Sequence, residues 1–245
     1  MRGTLIKCVI TAIAAAALAS QVALAGGQMG GMGGQGGMGG QGGMGRPGGG
    51  MNTPGDEIPS TPAEPKPDAA AKKAFTAGMK SLNKAKEFEL AAANAPNEDK
   101  KNAALTKKND YYGRALDQFT EAVANRGDMY EAWNNVGYIH LRLGAYNEAV
   151  DDYNHTLKLK PDLLEAICHR AEANLAVDRL DDTQAAYMDL FNHDRALADE
   201  LMVAMQAWLV DHRTNANGMR TADIDAFDKW LQEREGIAKQ TASAQ

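Results

Sequence analysis

The stretch YEAWNNVGYIHLRLGAYNEAVDDYNHTLKLKP, from Tyr130 to Pro161, decides the fold of this 245-residue chain. It reads as two short helices. Gly144 divides them, because glycine readily takes the left-handed backbone conformation that ends a helix, and Pro161 stops the second. Gly137 and Ala149 are small where the helices of such a hairpin must approach closely, while Trp133 and Tyr153 fill the space beside them. An ordinary amphipathic hairpin would not require small residues at both contact points.

In order, Trp133, Val136, Gly137, Gly144, Tyr146, Ala149, Tyr153, Leu157 and Pro161 resemble the tetratricopeptide repeat pattern. The resemblance implies an all-α fold, a short right-handed α-solenoid of helical hairpins, with a non-catalytic role in binding proteins or peptides. One such unit cannot bury its own apolar faces, so copies should flank it at a period of about 34 residues. Tyr112, Ala115 and Phe119 stand 34 positions before Tyr146, Ala149 and Tyr153, and Ala171, Leu180 and Tyr187 stand 34 after Gly137, Tyr146 and Tyr153. The later copy departs from the pattern at Asn174, Asp178 and Thr183, where an aromatic, a Gly and an Ala are usual, so looser packing is expected there.

The same phase reaches Leu201, Met205 and Trp208, and Ile224, Phe227, Trp230 and Leu231 line one side of a last amphipathic helix. Ahead of the array, Phe75, Met79, Leu82 and Phe88 share a face of a helix from Asp68 to Ala93. Pro96 and Asn97 then mark a break and a new N-cap, and a second helix runs to Arg126, with Gly127 placed to end it. If Gly78 holds the close-contact position, it lies 37 positions before Ala115, whereas Gly137 precedes Ala149 by 12. The first hairpin should therefore be an elongated antiparallel arm. The expected organisation is an elongated hairpin at 68–127, two repeats at 128–195, a capping hairpin at 196–240 and a tail at 241–245.

The front of the chain is different in kind. Residues 1–25 read as a secretory signal peptide: Arg2 and Lys7 give a basic start, Val9 to Leu18 an apolar core, and Ala23-Leu24-Ala25 a small-x-small cleavage site before Gly26. This places the protein in the periplasm or secreted, in a bacterial style of export, with no stable membrane span after cleavage because the apolar run is short. Residues 26–67 hold most of the chain's 25 glycines in near-repeats of Gly-Gly-Met-Gly-Gly-Gln and then a run of prolines, which cannot bury enough surface to offset ordering and should be disordered. Of the two cysteines, Cys8 lies in the leader, so Cys168 alone would remain and no internal disulfide would form. The net charge of −6 becomes more negative when Arg2 and Lys7 are removed, which argues against a nucleic-acid partner.

In the family that the repeat resembles, the first helices of successive units line a concave groove for an extended peptide or a partner helix. Carried over by position, the resemblance places Glu131, Asn134, Asn135, Tyr138, Leu141 and Arg142 there from one unit, and Glu165, Cys168, Glu172 and Leu175 from the next. Asn134 and Asn135 suit a peptide backbone, since an amide both donates and accepts. Only Asn135 and Arg142 could grip a carboxylate, against Glu131, Glu165 and Glu172, so a neutral or basic ligand is expected. The partner could instead lie along the long hairpin.

Other chemistry is weakly signalled. Glu165, Cys168, His169 and Glu172 could share a helical face, but nothing completes a tetrahedral metal site, so no metal residues and no cofactor are assigned. Met29, Met32, Met38, Met44 and Met51 carry thioethers that suit Cu(I), which leaves copper handling by the Met-rich segment as the alternative reading. His140, His155, His169, His193 and His212 are scattered and sit in no nucleophile or metal motif.

Overall fold

A computed structural model describes residues 67–242 of the chain. The expected leader at 1–25, the Gly/Met-rich and Pro-rich stretch at 26–67 except Pro67, and the last three residues of the tail lie outside the described residues. So does the Met-rich copper candidate.

Among the described residues there are eight helices and no strand: α1 Pro67–Ala93, α2 Glu98–Asn125, α3 Tyr130–Leu143, α4 Tyr146–Leu159, α5 Leu164–Ala176, α6 Leu180–His193, α7 Arg195–Thr214 and α8 Thr221–Ala242. Each helix packs on the next, and α3 also touches α5 while α5 touches α7. The first helices of successive hairpins therefore lie side by side, which is a short α-solenoid. The helices of the first hairpin have 27 and 28 residues, about twice the 14 of α3 and α4.

Local sequence sets the ends. The Asn97 side chain accepts from the Lys100 backbone N–H at 3.0 Å and starts α2. Asp194 accepts from the N–H groups of Ala196 and Leu197 at 3.0 and 3.1 Å and starts α7. Gly144 ends α3 with φ of 82°. Gly127 does not play that part for α2: the helix ends at Arg126 in extended backbone, and Gly127 follows without a positive φ. Its carbonyl instead receives the Trp133 indole N–H at 2.9 Å. Trp133 thus pins the turn between the first hairpin and α3, packing both on the core of that hairpin and against the His155 ring of α4 at 4.2 Å.

The core repeats one contact three times. Phe119, Tyr153 and Tyr187 are spaced by 34 positions and are 0, 0 and 1% exposed. A Cβ built on Gly137 would lie 3.2 Å from the Tyr153 ring, and one built on Gly78 would lie 2.7 Å from Phe119. Gly78 thus stands to Phe119 as Gly137 stands to Tyr153, across an intervening stretch lengthened from 16 to 41 positions. Each buried ring is worth about 1.5–3 kcal/mol in surface removed from water.

The third hairpin is closed by polar devices. Thr183 is fully buried, and its hydroxyl reaches the Ala171 and Arg179 carbonyls at 3.3 and 3.0 Å, so the tight contact survives the change from Ala. Asp178 takes the left-handed turn with φ of 60°, and its carboxylate accepts from the Trp208 indole at 3.0 Å and lies 3.2 Å from His212 Nε2. An aspartate can hold this conformation more cheaply than a branched residue, and the two bonds tie the turn to α7. Trp208 in turn stacks on His212 and meets Phe227 edge-on, which joins α8 to the end of the array.

Candidate functional site

On an α-helix residues three and four apart share a face, so α3 presents Glu131, Asn134, Asn135, Tyr138 and Arg142 together, and α5 presents Glu165, His169 and Glu172. The side-by-side packing of α3 and α5 makes these two faces continuous. Tyr138 is the centre of the assembly. Its ring lies 5.6 Å edge-on from the His169 ring, and Lys86 of α1 sits over it at 4.7 Å. His169 also stacks on Tyr153 at 5.9 Å, which anchors the surface cluster to the core. The face therefore carries aromatic area, one ammonium and the carboxylates Glu131, Glu165 and Glu172.

The expected groove residues separate into three kinds. Glu131, Asn134, Tyr138 and Glu172 are half-buried on this face, and Glu165 beside them is exposed. Asn134 Oδ1 is buried without a hydrogen-bond partner, whereas Asn135 donates to the Glu131 carbonyl at 2.7 Å within its own helix. Arg142 is committed elsewhere: its guanidinium pairs with Glu89 of α1, which also accepts from the Tyr112 hydroxyl at 3.2 Å. Burial works against the Arg142 charge, but Glu89 outweighs it and holds the guanidinium above its ordinary pKa. Burial pushes the Tyr112 phenol up in the same cluster.

Cys168 and Leu175 are corrections. Cys168 is fully buried, with Sγ 3.9 Å from the Leu197 carbonyl of α7, and Leu175 is 5% exposed in the same core cluster. Neither lines a groove. Successive helical residues point about 100° apart, so moving one position from Cys168 brings His169 onto the open face. Burial of Cys168 also takes it away from Glu165, His169 and Glu172, the four together being the side chains to which no metal was assigned, and no group of three metal-ligating side chains is assembled among the described residues.

The pattern missed Lys86 and Glu89 because they lie in the lengthened hairpin, where the repeat supplies no position to carry over. Their helical register with Leu82 and Gly78 was the available signal. It also missed the apolar Val203 and Val210 of α7, 47 and 67% exposed. No helix among the described residues is long and apolar enough to cross a membrane.

Residues 130–163 match the tetratricopeptide repeat family model. Among solved structures the chain is similar to the TPR2B domain of yeast Sti1 in complex with pHsp70, at 18% identity over 62% of this chain and 98% of that one, with a TM-score of 0.30. No curated protein matches the chain. The stretch that matches the tetratricopeptide repeat, residues 130–163, contains α3 and α4, the regular hairpin of this all-α array.

Proposed function

We propose that this protein is a non-catalytic scaffold that binds a neutral or basic protein segment on the face formed by α1, α3 and α5, in the periplasm or outside the cell. The observation that carries the reading is the cluster of Lys86, Tyr138 and His169, three polar-edged rings and chains gathered from three helices onto one continuous surface. A core does not need such a cluster, and aromatic side chains with polar tips are the usual anchors of a partner. Asn134 adds a carboxamide whose oxygen lacks a donor; a turn about χ2 would let a ligand N–H supply one, removing a cost of about 1–3 kcal/mol.

Charge supports the ligand class. Arg142 is paired with Glu89, and the carboxylates Glu131, Glu165 and Glu172 outnumber the Lys86 ammonium on this face, so an acidic segment would be repelled. The test is capture of native partners by the mature chain and by the Asn134→Ala/Tyr138→Ala variant. Undiminished capture by the variant sinks the groove reading and moves binding to the long hairpin or the segment before it. Export has its own test: mass spectrometry of the protein from its native compartment should show a first residue of Gly26.

A further inference from the structure

A second site lies on the opposite side of α5. Ile167, Arg170 and Asn174 point about half a turn away from Glu165, His169 and Glu172. With Val150 and Asn154 of α4, Arg179 of the turn, and Asp182 and Asp189 of α6, they line a cleft of about 360 Å³. That volume falls at the lower end of the range of about 300–1,000 Å³ for small-molecule sites.

Its charges are arranged unusually. Arg170 donates to the Asn154 side-chain oxygen at 2.8 Å, and Arg179 donates to that of Asn147 at 3.1 Å. Neutral amides thus hold both guanidinium groups without cancelling their charge, and each keeps four of its five N–H donors beyond that bond. Asp182 and Asp189 line the same cleft, Asp189 lying 3.1 Å from His193 Nδ1, yet neither arginine is ion-paired with either carboxylate. Surface arginines and aspartates that share a wall would ordinarily close on one another. Here they are held apart.

Asn174 gives the independent sign of a missing partner. It is 5% exposed, lines the cleft, and its Oδ1 has no hydrogen-bond partner. Buried polar atoms in native proteins are satisfied in about nine cases of ten, so an orphan at the wall of a cleft asks for a ligand donor. Asn174 and Arg170 also stand 34 positions after His140 and Val136, so the regular repeat fills this space with larger or less polar packing.

We propose that this cleft binds a small zwitterion of amino-acid size, its carboxylate on Arg170 and Arg179 and its ammonium towards Asp182 and Asp189. A simple anion would meet the two aspartates and a simple cation the two arginines; a ligand carrying both signs satisfies each. Its remaining N–H or hydroxyl donors would serve Asn174. The site is independent of the α1–α3–α5 face.

The experiment uses the full mature chain, isotopically labelled, with each of the common free L-amino acids added singly while the methyl signals of Val150, Ile167 and Ala186 are followed by NMR. At least one amino acid should give saturable shifts there. Its N-acetyl derivative and its methyl ester, each lacking one charge, should bind about tenfold or more weakly, as should Arg170→Met and the exposed-site variant Asp182→Asn. Asn174→Phe, which refills the aromatic position, should abolish the shifts while keeping the helical spectrum. Tyr138→Ala should leave them unchanged. Absence of saturable shifts with every amino acid, equal affinity for the charge-deleted derivatives, or full binding by Asp182→Asn and Asn174→Phe would overturn the proposal.

Discussion

Replacing Gly78 with alanine probes whether the elongated hairpin keeps the tight contact of the regular repeat. The new Cβ would stand 2.7, 2.8 and 3.0 Å from Cε1, Cδ1 and Cζ of Phe119. That ring is fully buried and packs on Phe75 at 5.4 Å, so it cannot swing aside cheaply. Overpacking costs about 1–3 kcal/mol, and three contacts of 3.0 Å or less to a pinned ring put this case in the upper part, about 2–3 kcal/mol, against a helix-propensity gain of about 1 kcal/mol for Gly to Ala. The net loss should be about 1–2 kcal/mol, or a Tm lower by roughly 2–8 °C for a chain of this size. Gly137→Ala is the control, because its Cβ would meet Tyr153 and Asp152 at 3.2 Å, where a shift of a few tenths of an ångström suffices. Its net effect should be smaller, about 0–1 kcal/mol. Urea unfolding followed by helical ellipticity measures both, and Phe119→Leu in the Gly78→Ala background should cost less than Phe119→Leu alone. A Gly78→Ala protein as stable as the parent, or more so, would refute the close contact.

Three further outcomes follow from single contacts. Asp178→Ala should destabilise by about 2–3 kcal/mol, combining a left-handed backbone with loss of the bonds to Trp208 and His212, while Asp178→Gly should cost about 1 kcal/mol less; equal losses in urea melts would remove the backbone contribution. A double-mutant cycle on Glu89→Gln and Arg142→Met should give a coupling of about 1–2 kcal/mol, since both side chains are about three-quarters or more shielded, and a coupling near zero would detach α1 from α3. The Asp152 carboxylate, 2.6 Å from His140 Nδ1, raises the His140 pKa above its ordinary value of about 6.5. The stability this pair contributes is then full below the unfolded pKa and fades as pH rises through the raised folded one, so the parent should lose more stability than Asp152→Asn on going from about pH 6 to pH 8. NMR titration showing the same His140 pKa in both proteins would contradict this.

Much of the array was legible because the repeat encodes close contacts in residue size. Gly137, Ala149 and Tyr153 specify a hairpin almost alone, and the 34-position offsets extend it to Phe119 and Tyr187. The polar substitutes were harder. Thr183 and Asp178 look like weakened packing in the sequence, whereas in space each makes hydrogen bonds that the standard residue could not. Groove assignment failed at Cys168 by a single helical position, since repeat phase sets the face only to within about 100°. Arg142 was placed correctly on α3 but its pairing with Glu89 depends on the lengthened hairpin, whose register no repeat pattern specifies. Lys86 escaped notice for the same reason.

Binding of a neutral or basic segment on the α1–α3–α5 face is the proposal on which the function rests. Its most direct test is selection of peptides from a random display library on the mature chain, followed by amide hydrogen exchange with the selected peptide bound. The selected peptides should carry zero or positive net charge, protection should concentrate around Lys86, Tyr138 and His169, and Asn134→Ala/Tyr138→Ala should lose binding. Selection of acidic peptides, or protection confined to α2, α4 and α6, would contradict the proposal.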